Sequence, residues 1–512
     1  MLWTLIRNLT RKPSIAVAAT EDRLSAGIAS LNAGDFAMAC RHLQAVVAAD
    51  PHNADASYYF ALAEARSGRL EHAETLLEST RLRRDSADVN NALGNVRRLS
   101  GRLASAAESY RRALEFEQNH VAALANLGLA LRDLGEPAQA LPVLDRALAA
   151  SPDHVEALFN KALALVDLDE SAEAERLLDW ALSLDPDFAH AHLQRAFMLL
   201  KRRDFAAGWR EYAWRVRIPE VDRWQDYPYP FWQGEALAGK RLLVQAEQGL
   251  GDHIMFASCL PDVMTSAQHV MVECDPRLAK LFARSFPRAA VYRYRAAGEP
   301  DWSREAAPDY RIRYGDLPRM LRNRETDFPR HAGYLVTDPV RVAAWHQRLA
   351  ALGPGLKIGI SWRGGTPATG QARRSIALDD WWPVVSTSGT HFVSLQYGNV
   401  DAEIAELKTR RGKVVHSWAN SDAGMDDVAA LIASLDLVIT VCTTAAHLAG
   451  ALGKATWVVV PVVAEWRYLH QGSSIPWYPQ LRLFRQQELN QWGSVLSTVK
   501  AELEREVVTR CD

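Results

Sequence analysis

The chain has 512 residues, too long for one hydrophobic core, so about two to four domains are expected. Its 59 Lys and Arg against 61 Asp and Glu leave a net charge of −2, which excludes the basic excess that draws a protein onto nucleic acid or an anionic membrane. An apolar fraction of 48% excludes a disordered chain. The five scattered cysteines (Cys40, Cys259, Cys274, Cys442, Cys511) form no C-x-x-C pair, so they suggest neither a zinc site nor a disulfide framework, and a reducing cytoplasm fits them best.

The first twenty residues, "MLWTLIRNLTRKPSIAVAAT", place their short apolar run, Leu2 to Ile6, before the charges of Arg7, Arg11 and Lys12. That order is wrong for a secretory signal, and no run reaches spanning length, so residues 1–20 are expected to be an amphipathic leader without stable membrane insertion.

From residue 21 to 216 the chain repeats itself. Small residues recur at Ala39, Ala73, Ala106, Ala140, Ala174 and Gly208, and four positions after each stands a large one: Leu43, Leu77, Tyr110, Leu144, Leu178 and Tyr212. Helix-ending prolines (Pro51, Pro152, Pro186) and Leu-Gly pairs (Leu93-Gly94, Leu127-Gly128) punctuate the pattern. A period of about 34 residues with these marks is the tetratricopeptide repeat, here in about six copies. The small residue is expected to let the two helices of a repeat approach, and the large one to fill the groove between neighbours. Such arrays present a concave face to an extended peptide or a partner, or serve only as scaffold. A D-x-D triplet, Asp167 to Asp169, falls in the fifth repeat's turn and reads as capping rather than metal binding.

From Trp209 onward the grammar changes, and 14 of the 16 tryptophans lie there. Residues 217–237 carry prolines and aromatics without helical period and read as an ordered connector. Apolar runs then alternate with helical stretches, the clearest strands being 242–245, 270–273, 358–362, 392–395, 437–441 and 456–460. Alternation of this kind predicts parallel sheets with crossover helices. Two units are expected, 217–338 and 339–512, with ligands at the carboxyl ends of the strands and the active site in the cleft between the units.

Three stretches carry chemistry. In "AEQGLGD", Asp252 follows a strand and a glycine turn, Gly249-Leu250-Gly251. It reads as a helix N-cap or as a base that takes a proton from a hydroxyl, and Glu247 either shares that role or orients the loop. In "DLVITVCTTAAHLAG" a strand ends at Cys442, and Thr443 and Thr444 open a helix carrying Ala445 and His447. That is an anion site or an ordinary cap. In "ISWRGGTPATGQARRSIALDDWW" the loop bears Arg363, Arg373 and Arg374, which suit phosphate if they do not merely face solvent. Gln396 at the end of "FVSLQYG" is a weaker candidate for a nucleobase contact. No G-x-x-x-x-G-K-[ST], complete G-x-G-x-x-G, H-E-x-x-H or G-x-S-x-G occurs.

Taken together, "FAAGWREYAWRVR", "AEQGLGDHIMFASCLP", "RRSIALDDWWPV", "FVSLQYG", "DDVAALIASLDLVITVCTTAAHLAGALGKATWVVVP" and "SSIPWYPQLRLFRQ" resemble bacterial glycosyltransferases of the GT-B fold, in the heptosyltransferase-like family whose members include chains with a leading repeat array. The resemblance implies an α-solenoid followed by a GT-B pair of Rossmann-like domains. It implies an inverting, metal-independent transferase with no cofactor. Its partners would be a nucleotide-sugar donor and an acceptor protein with Ser or Thr sites held by the repeats, flagellin being the narrowest version. It assigns Asp252 as the base, Thr443, Thr444, Ala445 and His447 to the donor diphosphate, and Arg374 to donor phosphate. Where the family has Asp-Thr at the head of that helix, this chain has Cys442-Thr443, so the carboxylate expected against the donor sugar is replaced. An envelope saccharide or lipid as acceptor, and a non-catalytic scaffold, are the competing expectations.

Overall fold

The computed structural model describes residues 15–218, 226–295, 300–303, 307–365, 371–418, 424–489 and 491–511. Two compact units divide at Pro186, Met1–Pro186 and Asp187–Asp512. Most of the expected leader lies outside the described residues. From Ile15 onward the chain is already helical, so the first repeat helix starts inside the segment expected to be leader.

Among the described residues, the first unit is ten helices in five antiparallel pairs: α1 (Ile15–Asn32) with α2 (Phe36–Ala49), α3 (Ala54–Arg66) with α4 (Leu70–Arg83), α5 (Ala87–Leu99) with α6 (Leu103–Phe116), α7 (Val121–Asp133) with α8 (Pro137–Ala150), and α9 (Val155–Asp167) with α10 (Ser171–Leu184). Side chains of Asp35, Asn53 and Ser86 accept first-turn amide hydrogens and fix three of the starts. The small residues Ala39, Ala73, Ala106, Ala140 and Ala174 all sit fully buried on the second helix of a pair, as do the large residues four positions on. The large residue clusters with the next repeat, Leu43 with Phe60 and Leu77 with Leu93, and also closes over the first helix of its own. Leu43 lies where a side chain on Gly27 of its own repeat would sit, 2.6 Å from that notional Cβ, and Tyr110 and Leu144 cover Gly94 and Gly128 in the same way. Each such burial contributes about 1.5–3 kcal/mol. The turn inside each pair needs a left-handed residue, supplied by Gly34, Gly68, Gly101 and Gly135 and, in the fifth, by Asp169 at φ 64°; the D-x-D triplet is thus part of a repeat turn.

The register hides one irregularity. Positions held by Leu124 and Leu131, and again by Leu158 and Leu165, are Asn90 and Arg97 in the third repeat and Ser57 and Glu64 in the second. A polar cavity of about 310 Å³ opens there, lined by Glu78, Arg81, Asn90, Arg97, Ser109 and Arg112 among others.

The second unit begins with a sixth helix pair, α11 (Ala189–Lys201) and α12 (Phe205–Tyr212), followed by one turn of 3₁₀ helix at Ala213–Arg217. This pair is built into the core of the second unit: Trp209 Nε1 donates to the Arg322 carbonyl at 2.8 Å, and Phe205 packs on Phe328. Two all-parallel sheets follow. Strands β1 (Arg241–Gln245), β2 (His269–Cys274), β3 (Ala289–Arg293) and β4 (Tyr310–Arg313) form the first, in the order β3-β2-β1-β4. Its helices are α13 (Leu250–Phe256), α14 (Leu260–Ser266), α15 (Ala279–Ser285) and α16 (Leu317–Leu321). The connector runs beside β4: Arg311 N donates to Pro230 O at 2.9 Å and Trp232 N to Arg311 O at 2.8 Å.

Helix α17 (Pro339–Ala350) leads to β5 (Leu356–Ser361), α18 (Trp382–Val385), β6 (Thr390–Ser394), α19 (Asp401–Arg411), β7 (Val415–His416), α20 (Met425–Ser434), β8 (Leu437–Thr440), α21 (Thr444–Ala451), β9 (Thr456–Val460), β10 (Leu481–Arg485) and α22 (Gly493–Cys511). The second sheet runs β10-β9-β8-β5-β6-β7, the strand order of a doubly wound nucleotide-binding sheet. All six runs read as strands from the sequence are strands; β3, β4, β7 and β10 are short, arginine-bearing or half-buried edges without a continuous apolar run. The order in which strands are added reverses between β1 and β4 in one sheet and between β5 and β8 in the other, and such switch points are where these sheets open a crevice for ligands. No described helix is long and apolar enough to cross a membrane.

Candidate functional site

The loop after β1 is held from beneath. Glu247 is buried, and both its oxygens are taken: Arg215 Nη2 donates to Oε1 at 2.7 Å, Arg215 Nε to Oε2 at 3.1 Å, and the Gly315 amide also donates to Oε1. Arg215 donates on to Asp316 at 2.8 Å. Burial pushes the Glu247 carboxyl up despite the guanidinium beside it. This network joins the turn after α12 to the loops after β1 and β4, so Glu247 orients the loop with both of its oxygens engaged. Gln248 takes a left-handed φ of 63°, and the Tyr212 hydroxyl donates to its Oε1 at 2.8 Å.

Helix α13 then starts, with Gly249 as its N-cap and Asp252 at the third position rather than the cap itself. Asp252 Oδ2 accepts from the Gly249 amide at 3.3 Å. Oδ1 accepts from Arg467 Nη2, which comes from the loop between β9 and β10. The paired guanidinium outweighs burial and holds the Asp252 carboxyl below its ordinary value. Gly251 has a packing task. Its missing side chain makes room for the His447 ring, whose Cδ2 would lie 3.0 Å from a Cβ there, and α13 thereby packs on α21. Gly249 is exposed, and the space beside it is open apart from Asp252 Oδ2.

On the facing sheet, β8 ends at Thr440 and α21 begins after Thr443. Thr440 donates its hydroxyl proton to the Val441 carbonyl at 2.9 Å, so the Thr443 hydroxyl donates to Thr440 Oγ1 at 3.0 Å. The amides of Thr444 and Ala445 stand in the first turn, where helices lack internal acceptors. Cys442 contributes backbone only. Its thiol is buried with Sγ 4.0 Å from the Val459 carbonyl, and burial pushes it far up, so it replaces a carboxylate with a core side chain. His447 is buried against Tyr478, 3.1 Å from its hydroxyl, and burial drives its imidazole down to about 3, leaving it neutral near pH 7.

The glycine-rich loop after β5 closes the third side. A Cβ on Gly364 would meet the Cys442 carbonyl at 2.5 Å, so only glycine lets this loop lie on the α21 start. Of its arginines, Arg374 faces the site and pairs with Glu465, while Arg363 turns away to Glu403 at 2.9 Å. Residues 366–370 lie outside the described residues. Gln396 is committed to this loop's backbone: its Oε1 accepts from Trp362 N at 3.0 Å and Arg363 N at 2.8 Å, and its Nε2 donates to Arg363 O at 3.1 Å. It shapes the loop instead of offering its amide to a base.

The structure therefore brings together Asp252, Gly251, His447, the Thr443–Ala445 turn and Arg374. It adds two residues the sequence reading passed over, Glu465 and Arg467. They extend a chain of alternating charge, Asp252–Arg467–Glu465–Arg374, in which Arg467 Nη1 lies 3.5 Å from Glu465. Trp466 anchors this segment, edge-on to Trp209 at 5.5 Å and 4.8 Å from the Arg467 guanidinium. The signal in the sequence was the "EWRY" stretch, one arginine between two large aromatics beyond a buried strand. Among the described residues no group of three or more His, Cys, Asp or Glu is placed to hold a metal. Cys40, Cys259, Cys274 and Cys442 are buried free thiols, and the Cys511 side chain lies outside what is described.

Fold and site together define a tetratricopeptide-repeat protein with an appended parallel α/β unit. Models of the tetratricopeptide repeat match residues 30–96 and 125–175. The chain is similar to Protein FlbA of Caulobacter vibrioides, 35% identical over 312 residues, which is 58% of this chain and 52% of that protein. It thus spans about half the length of the curated relative it matches. Solved structures with likeness include MamA (22% identical, 33% of this chain and 94% of that one, TM-score 0.29). YrrB, described as a repeat protein with an unusual peptide-binding site, matches at 20% identity over 36% of this chain and 97% of its own, TM-score 0.29. PilF of Pseudomonas aeruginosa matches at 19% over 40% and 91%, TM-score 0.33.

Proposed function

We propose that the second unit is a GT-B-type glycosyltransferase that moves a sugar from a nucleoside diphosphate to a hydroxyl of a protein bound by the repeats. The observation that carries this reading is the convergence of a carboxylate, Asp252, from one sheet's switch point with a helix start and an arginine, Thr443–Ala445 and Arg374, at the other's. Asp252 takes the proton of the acceptor hydroxyl as its oxygen bonds to the anomeric carbon. The bond from that carbon to the phosphate oxygen breaks, and its electron pair leaves with the nucleoside diphosphate. The charge growing on that phosphate is met by the α21 amides and the Arg374 guanidinium. A single displacement of this kind inverts the anomeric centre, and the reading requires no metal and no cofactor. A Ser or Thr acceptor protein is favoured because the tetratricopeptide repeats supply a protein-binding module. Flagellin is its narrowest form and rests on the family resemblance alone, as does an envelope saccharide or lipid acceptor.

The ion pair between Asp252 and Arg467 favours a second reading, a scaffold whose carboxylate is permanently neutralised. Nucleotide release from UDP-, ADP-, GDP- and CDP-sugars, with candidate acceptors present, separates the two. Release with at least one donor supports transfer; none with any donor leaves the scaffold.

A further inference from the structure

We propose that Arg467 is an exchangeable partner: it holds Asp252 when no donor is present and moves to the donor's diphosphate when one binds, freeing the base. This deepens the transfer reading and rests on it. Three observations support it. First, Arg467 stands at the junction of two anion-binding roles. It pairs with Asp252 on one side and with Glu465 on the other, and Glu465 also pairs with Arg374 beside the α21 start. A diphosphate at that helix start would enter between guanidinium groups already converging on it, in competition with the two carboxylates.

Second, the loop carrying Arg467 is anchored on both sides of this residue, whose own guanidinium is held by charge pairs and by the Trp466 ring. Trp466 and Tyr468 are buried on either side of it, and Arg485 donates to the carbonyls of Tyr468, at 2.5 Å, and Gly472, at 2.8 Å. The guanidinium can then be redirected by side-chain rotation alone. Third, both loops that meet in the pair contain a non-glycine residue in left-handed conformation, Gln248 at φ 63° and Leu469 at φ 60°. Backbone of this kind persists where surroundings over-determine it, and it clusters at ligand clamps. The pair thus sets an order: donor first, then an acceptor proton that Asp252 is free to take.

Calorimetric titration of the full-length chain with UDP, ADP, GDP and CDP tests the exchange. Wild type should bind at least one of them. Arg467→Gln should weaken that binding about tenfold or more, with Arg467→Lys intermediate, since a charge-assisted bond to phosphate is lost or kept only as a point charge. Asp252→Asn should tighten binding several-fold, and this gain should vanish in the Asp252→Asn/Arg467→Gln double variant, because the gain comes from releasing Arg467. An equal gain in the double variant would mean simple removal of a negative charge and would overturn the exchange while leaving the transfer reading standing. Unchanged binding in Arg467→Gln, with its melting temperature retained, overturns it as well. Wild type binding none of the four removes the transfer reading and the exchange together.

Discussion

The repeat unit and the loops around Asp252 are stabilised on opposite principles. In the repeats the recurring contacts are local and mostly apolar: Tyr110 folds back over Gly94, and its hydroxyl also reaches Asn95, 15 residues earlier. At the candidate site the decisive contacts are charged and remote, with Asp252 bound to Arg467 from 215 residues away and Glu247 to Arg215 from 32. Local apolar contacts repeat and tolerate loss one at a time. Buried charges do not, because removing one partner strands the other in a medium of low polarity. Stability in the array is thus distributed, and in the loops around Asp252 it is concentrated at a few pairs.

Four perturbations break or sharpen that contrast. The largest is division of the chain itself. Because α11 and α12 are packed into the sheet unit, a truncation must start at Asp187 rather than after residue 216. Such a chain should keep nucleotide release from its donor and lose all modification of an acceptor protein, read by mass spectrometry. Retained modification would return the first five repeats to scaffolding. Next, Arg215→Met leaves Glu247 and Asp316 without their cation and should cost about 3–5 kcal/mol, seen calorimetrically as loss of one transition while the repeat unit still melts. A smaller effect is expected within the repeats. Gly94→Val drives a side chain into Tyr110 and should cost about 1–3 kcal/mol, confined to the repeat transition.

The smallest effect is a difference in acid sensitivity. Buried His447 accepts a proton only near about 3 when folded against an unfolded value of 6.5, so its unfolded form binds the proton first and the sheet unit loses stability as pH falls across that interval. In the repeats, the Glu64 carboxyl is held down to about 2 from 4.5, chiefly by its hydrogen bond to Arg69, so its contribution is intact above 4.5 and lost only as pH falls towards 2. Between pH 6.5 and 4.5 these two groups therefore weaken the sheet unit alone, by at most about 1.4 kcal/mol per pH unit, and His447→Gln should flatten that slope.

The same contrast explains what was legible in the chain. A 34-residue period exposes the repeats because Ala39 to Ala174 and their partners lie at fixed offsets on adjoining helices. Buried parallel strands such as β5 and β8 announce themselves as unbroken apolar runs. Asp252 and Thr443 were legible because each ends a strand at a glycine or hydroxyl turn. Arg467 and Glu465 were not, since the "EWRY" stretch that carries them does not mark their distant partners, Asp252 for the arginine and Arg374 for the glutamate. Gln396 and Cys442 were hard to place for a related reason. A polar residue at a strand end looks the same in sequence whether it faces a ligand, grips a neighbouring backbone or points into the core.

The central claim is that Asp252 and the Thr443–Arg374 cradle form one transferring site. The most direct measurement compares wild type with Asp252→Asn for nucleotide release from the same donor and acceptor, alongside calorimetric binding of the nucleoside diphosphate. The account predicts that Asp252→Asn binds the nucleotide at least as tightly as wild type while its turnover falls by about 10²–10⁴-fold. Full turnover by Asp252→Asn would contradict it.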